Sequence, residues 1–361
     1  MGEAPCTLLE AEMALDLLEG ELAAELPAHV RAFARAHADG RPPPPAPLVA
    51  RLASSLKAAQ QALAFDLLAD RGIALLRLLA PLAIDAGMPP ALRLLAEKPA
   101  PGRTPPERTW ASYRAFAAAR DQLAHARFGR GAIELAAILH VGSAGHARHG
   151  EPEAREPREV PRVDAWRVPD AAVDDAAIRD VWQVIASRLG VTGSVRIDRG
   201  APGVPPRTFV VEPKAEVVVV VPAVIDTPRA RTQVLHELGH AAAALVAGAG
   251  LPRAVDEGAA AFVARLAEPG SWLPPRWISE HAPAARERRL AIAELLDTIE
   301  RGYDGPLLPG APPAALWDDP GAQCSYAAAE AIAERLAGQP LRHALVTEAD
   351  RVTWRACEQL R

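Results

Sequence analysis

Residues 236 to 240 of this chain read His-Glu-Leu-Gly-His, and an acidic pair, Asp256-Glu257, follows after a short glycine-containing interval. On a helix, positions i and i+4 lie one above the other, so His236 and His240 can aim imidazole nitrogens at one point, about 2.0–2.1 Å from a zinc ion. Glu237 is displaced around the helix from that row, which frees its carboxylate to act as general base on a water that the metal activates. A third protein ligand would complete a catalytic zinc site, and the acidic pair supplies two candidates. Glu257 is the first, as the opening residue of a helical face shared with Ala260, Ala261 and Ala264. Asp256 is the alternative, with a solvated charge at a helix N-terminus as its ordinary role.

These residues need a helix to hold them. The segment TPRARTQVLHELGHAAAALVAGAG offers Thr227 as N-cap, Pro228 in the first turn and glycine at the end. The turn implied by GAGLP should send DEGAAAFVARL back beside the first helix, with Gly258 and the alanines after it letting the two backbones approach closely. Ahead of this pair the apolar period drops toward two. GSVRID, RTFVVEP and AEVVVVVPA are short β-branched runs separated by Gly and Pro, as strands of a small sheet should be.

Most of the remaining chain repeats apolar residues at three and four positions, as helices with one buried face do. TLLEAEMALDLLEGELAAELPAHVRAFARAHA and LVARLASSLKAAQQALAFDLLADRGIALLRLLA are separated by RPPPPAP, and EKPAPGRTPPE precedes two further helical runs at 108–128 and 130–141. DAAVDDAAIRDVWQVIASRLG reads as another helix, ended by Gly190, and more helices follow near 253–268, 281–302, 324–338 and 349–360. Between 142 and 162 the chain is polar and rich in proline, which reads as an exposed linker. His146 and His149 lie there, with His140 just before them. Without periodicity to hold ligands, no metal cluster is expected from these three.

A mainly α protein with a small β-sheet before the HELGH helix is therefore expected, with a helical N-terminal region over 1–160 and a second domain, which holds the sheet, the HELGH helix and C-terminal helices, over 161–361. A chain of 361 residues can bury a generous core. Its net charge of -5 gives no electrostatic reason to expect a nucleic-acid partner. The longest apolar runs are too short to span a bilayer, and acidic groups stand near the N-terminus where a secretory signal would be basic, so neither a membrane nor export is expected. Cys6, Cys324 and Cys357 are odd in number and widely spaced, which suits a reducing cytoplasm. Oligomeric state is not written in these features.

The segment QVLHELGHAAAAL, with DEGAAAF after it, resembles the gluzincin metallopeptidases, in which HExxH is completed by a glutamate on a following helix. Within them it looks most similar to the mostly helical oligoendopeptidase F and thimet oligopeptidase family. That likeness returns at GAQCSYAAAEAIAERL, where those enzymes carry a tyrosine-rich segment ahead of a helix, although Cys324 and Ser325 stand where further tyrosines would be. The resemblance implies Zn2+ as cofactor, His236, His240 and Glu257 as its ligands, Glu237 as catalytic base and Tyr326 as transition-state hydrogen-bond donor. Over 207–275 the chain is also similar to the ImmA/IrrE peptidases, a likeness of the minimal gluzincin core.

Hydrolysis of a peptide bond is the natural product of these roles, since a neutral donor to the gem-diolate completes them. After Tyr326, Tyr303 in RGYDGP and His281 are the next candidates for that donor. Arg253 reads as a solvated turn charge or a site for a substrate carboxylate. Short or unfolded peptides are the expected substrates, with the N-terminal helices covering the cleft. Two other functions fit the same residues: a catalytically inactive gluzincin-fold binding or assembly protein, and a zinc hydrolase of a nonpeptide amide.

Overall fold

Five consecutive valines, Val217 to Val221, form most of the middle strand of a three-stranded sheet and are all fully buried. The strands are β1 (Ser194–Arg199), β2 (Arg207–Glu212) and β3 (Glu216–Val221), in the order β1-β3-β2. β1 runs parallel to β3, with Ser194 opposite Glu216 and Arg199 opposite Val221. β2 runs antiparallel, with Thr208 opposite Val219 and an irregularity between Val210 and Glu212. A strand that reads as one continuous apolar run is one covered on both faces. Val218 and Val220 join Phe209 and Val211 against Ala34 and Ala38, whereas Val217, Val219 and Val221 face a larger core.

The computed structural model describes residues 7–42, 44, 47–97, 104–143, 172–248, 250–267, 272–273, 277–302, 310–318 and 321–361. Its helices are α1 (Leu8–Ala38), α2 (Pro47–Ala62), α3 (Ala69–Gly87), α4 (Pro90–Ala96), α5 (Trp110–Phe128), α6 (Ala132–Val141), α7 (Asp175–Leu189), α8 (Pro228–Ala247), α9 (Arg253–Ala267), α10 (Ala282–Glu300), α11 (Ala315–Asp318), α12 (Cys324–Leu336) and α13 (Leu341–Leu360). The protein is thus mainly helical with one small sheet directly before α8, as the sequence periods indicate. Among the described residues no helix is long and apolar enough to cross a membrane.

α1 links two parts of the molecule. Its N-terminus is closed by a capping box between Thr7 and Glu10. Leu15, Leu18 and Leu22 pack with α2 and α3, while its last turns cover the outer face of the sheet. There Arg31 donates to both oxygens of Glu216, at 3.2 and 2.5 Å. The single helical run read over 48–80 is in fact two helices, broken at residues 63–68 with a 3-10 turn at Asp66–Leu68. The break lets α2 and α3 fold together, so that Leu52, Leu56 and Ala59 share a core with Ile73 and Leu76. One straight helix would leave part of that apolar surface in water.

α9 lies at the centre of the second core, with Val255, Ala259 and Val263 fully buried among residues of α6, α8, α12 and α13. Arg77 on α3 braces this region from the side. It is 7% exposed and donates to Leu139 O at 2.7 Å, to Thr353 Oγ1 at 3.1 Å and to Gly250 O, in the turn between α8 and α9, at 3.4 Å. The 142–162 linker with His146 and His149 falls outside the described residues apart from Gly142 and Ser143, as do Tyr303 and the side chain of His281.

Candidate metal centre

α8 begins as its sequence specifies, with the Thr227 hydroxyl accepting from Ala230 N at 3.2 Å and Pro228 in the first turn. Val234, Leu235, Leu238, Ala241 and Ala242 are fully buried, which fixes the rotation of the helix and turns His236 and His240 toward α9. The approach of the two helices is closest at Gly239. A Cβ there would lie 2.6 Å from Ala260 Cα and 2.9 Å from Ala260 O, so only glycine permits this crossing. Gly258 does not serve it, contrary to the sequence expectation. Its face meets α12, where a Cβ would lie 2.7 Å from Ile332 Cγ2 and 3.0 Å from Ala329 O. α9 is wedged between two helices, and each contact has its own glycine.

The wedge brings three ligand atoms together. His236 Nε2 and His240 Nε2 are 3.2 Å apart, and Glu257 Oε2 lies 3.3 Å from the first and 3.8 Å from the second. The Glu257 side chain is 7% exposed, yet its Oε2 makes no hydrogen bond. A buried carboxylate oxygen without a hydrogen bond is costly unless a cation meets it, and the donor set, two imidazoles and one carboxylate, suits a metal. His236, His240 and Glu257 could therefore hold a metal ion.

Asp256 takes a different position. Its Oδ2 is 3.0 Å from His240 Nδ1, on the far side of the ring, as a charge contact rather than an aligned hydrogen bond. A carboxylate at that nitrogen fixes the ring and leaves Nε2 for the metal. Of the two acidic candidates, Glu257 thus faces the shared point and Asp256 backs one of the histidines. Burial opposes charge on His240, but Asp256, Glu257 and Glu237 outweigh it and push its pKa up to about 10. Burial likewise opposes charge on Glu257, and His236, His240 and Arg253 overcome it, holding the carboxyl well below the usual range. The carboxylates gathered here favour a bound cation, and a metal taken up by the imidazoles would displace the proton from His240.

Glu237 points to the sheet side of α8. Its Oε2 accepts from the Thr208 hydroxyl at 2.8 Å, and the same hydroxyl lies 2.9 Å from Glu237 O. Thr208 is the residue that sequence reasoning missed. Its only signal was strand alternation: in RTFVVE, Phe209 and Val211 pack with α1, so Thr208 and Val210 must face α8.

Tyr326, on α12, lines the same cavity as His236. Its hydroxyl pKa is raised, first by the charge of Glu257 and then by burial, against the lowering effect of nearby Arg253. Arg253 is not a solvated turn charge. Its Nη2 lies 3.5 Å from Glu257 Oε1, and its backbone N–H donates to His140 Nδ1 at 3.3 Å. His140 thereby supports the start of α9.

The cavity in front of His236 has a volume of about 1070 Å³. Its described walls come from residues 227 to 330, chiefly α8, α9, α10 and α12. The expectation that N-terminal helices cover the cleft is not met among the described residues: none before Thr227 lines the cavity, and the end of α3 with α4 and α5 packs instead behind α10 and α11. Neither a family model, nor a curated protein, nor a solved structure matches this chain. The functional reading rests on the site itself.

Proposed function

We propose that the protein is a zinc-dependent peptidase of gluzincin type, with a zincin-like core, that hydrolyses short or unfolded peptides in the reducing cytoplasm. The observation that carries the reading is the convergence of His236 Nε2, His240 Nε2 and the hydrogen-bond-free Glu257 Oε2 within 3.8 Å of one another, beside a cavity. Two imidazoles and a carboxylate form a three-ligand set typical of catalytic zinc. Zinc bound there supplies Lewis acidity, lowering the pKa of water and polarising a scissile carbonyl. Cys324 and Cys357 are buried as free thiols, in keeping with a reducing compartment.

The remaining work falls to side chains. Glu237, held by Thr208, takes a proton from water as its oxygen attacks the carbonyl carbon, then delivers it to the amine nitrogen as the C–N bond breaks. Tyr326, facing the cavity, donates a hydrogen bond to the developing oxyanion. Asp256 keeps the His240 ring oriented. The test is incubation of the zinc-loaded protein with a mixed peptide library, read by mass spectrometry, beside Glu237→Gln. Cleavage by the parent that a chelator stops, zinc restores and Glu237→Gln lacks supports the proposal. A zinc-replete parent that cleaves nothing contradicts it.

A further inference from the structure

The cavity beside His236 is far more basic than the protein that contains it. Across the chain acidic residues outnumber basic ones, for a net charge of -5. The described lining of the cavity includes Arg265, Arg286 and Arg289, besides Arg229 and Arg288, which each have a further partner, and Glu330 is its one described carboxylate. Three of those arginines converge on Glu330. Arg265 bonds its Oε2, Arg289 Nη2 lies 3.0 Å from its Oε1, and Arg286 Nε lies 4.0 Å from its Oε2. One carboxylate neutralises one guanidinium, so two positive charges remain in excess at this place. Arg286 and Arg289, both on α10, keep 45% and 42% of their side chains exposed. Arg265 is less exposed and forms the tight pair.

A wall of excess guanidinium charge, planar and rich in donors, is suited to carboxylates. A cleft that focuses such charge also raises the local concentration of anionic ligands. The lining also includes the apolar Trp277, Ile278, Ile292 and Leu296. A lining that is both apolar and cationic suits a peptide that carries both kinds of side chain. The geometry points to an acidic peptide as the substrate class, with Asp or Glu side chains bound by Arg286 and Arg289 in the cavity that His236 also lines. This inference rests on the peptidase reading for the bond that is cleaved, but the recognition surface stands apart from His236, His240, Glu237 and Glu257.

The experiment measures binding and cleavage separately. Zinc-loaded Glu237→Gln protein is titrated into fluorescein-labelled peptides that pair a Glu-containing sequence with its Gln isostere, read by anisotropy. Two half-exposed ion pairs predict a preference of order tenfold for the acidic peptide, falling with added salt. Arg286→Gln/Arg289→Gln in the same background should remove it. Both arginines are substantially exposed, and circular dichroism checks that the fold is retained. In case Glu237→Gln folds poorly, the same comparison is made as kcat/KM for both peptides with the unaltered catalytic residues. Equal affinity for the two peptides, or a preference that the double variant retains, overturns the inference. So does a short single-stranded oligonucleotide that competes as well as the acidic peptide. If neutral and acidic peptides are cleaved alike, the substrate class fails and the peptidase reading survives. If acidic peptides bind selectively and nothing is cleaved, the recognition surface stands and the peptidase reading fails.

Discussion

The Thr208 hydroxyl on β2 donates to Glu237 Oε2 on α8 at 2.8 Å, tying the sheet to the proposed catalytic base. This contact is what gives the sheet a role in the site beyond support of α8. A donor fixed by strand register holds the carboxylate in one rotamer, so no ordering is needed when substrate arrives. Thr208→Val keeps the shape and the strand preference but removes the donor. We expect kcat to fall by about tenfold, with zinc content and fold unchanged, and Thr208→Ser to restore most of the loss. Steady-state assays of the three proteins check this, and an unchanged kcat in the valine variant would remove Thr208 from the mechanism.

Gly239 is the point at which α8 and α9 touch through their backbones. The methyl of Gly239→Ala would meet Ala260 Cα at 2.6 Å, against backbone that cannot rotate away. Overpacking of this kind costs about 1–3 kcal/mol. It also pushes Glu257 away from the histidines, so a lower urea midpoint and weaker zinc binding should appear together. Loss of stability with full zinc affinity would show that the helix contact and the metal centre are not coupled.

Much of this arrangement was legible in the sequence. HELGH after β-branched runs gave the order sheet then helix, Thr227 and Pro228 gave the start of α8, and the choice of Glu257 over Asp256 followed from helical phase. What could not be read were the partners that distant segments supply. Gly258 looked like the glycine of the α8 contact because it adjoins Glu257, yet a helix wedged between two others needs a close approach on each side, and a linear sequence does not say which glycine serves which. Thr208 is one short polar side chain in a strand, with nothing local to connect it to Glu237. Arg253 depends on His140, which lies more than a hundred residues away in sequence. The 48–80 run looked like one helix because periodicity reports buried faces and is insensitive to a break between two helices that share a core.

Asp256 contacts His240 Nδ1 at 3.0 Å and should tune the site without binding metal itself. Asp256→Asn removes the charge and retains the size. We expect zinc affinity to weaken by about 10–100-fold, as for other partners of ligating histidines. Competition against a chelating dye measures it. An affinity equal to the parent's would mean that His240 is held by its packing alone.

His140 makes the fold sensitive to mild acid. Burial, then the charges of Arg253 and Arg77, hold its pKa down from 6.5 to about 3. The unfolded chain therefore takes up a proton between these values that the folded chain refuses. Its contribution to stability is complete above about pH 6.5 and is lost progressively as pH falls below it. Protonation would also remove the Nδ1 acceptor from Arg253 N. Glu257, whose pKa is depressed from 4.5, adds its own loss only below that value. Urea midpoints from pH 7 to about 5 should fall in the parent and fall less in His140→Gln. Parallel slopes would contradict the assignment.

The most direct test of the account is zinc per chain, by elemental analysis of protein purified without added metal or a histidine tag, beside Glu257→Ala with its fold checked by circular dichroism. The account predicts about one zinc per chain in the parent, as for a single three-ligand catalytic site, and a marked loss in the variant. A parent without zinc, even after careful reconstitution, or a variant that keeps its full complement, would contradict a centre built on His236, His240 and Glu257.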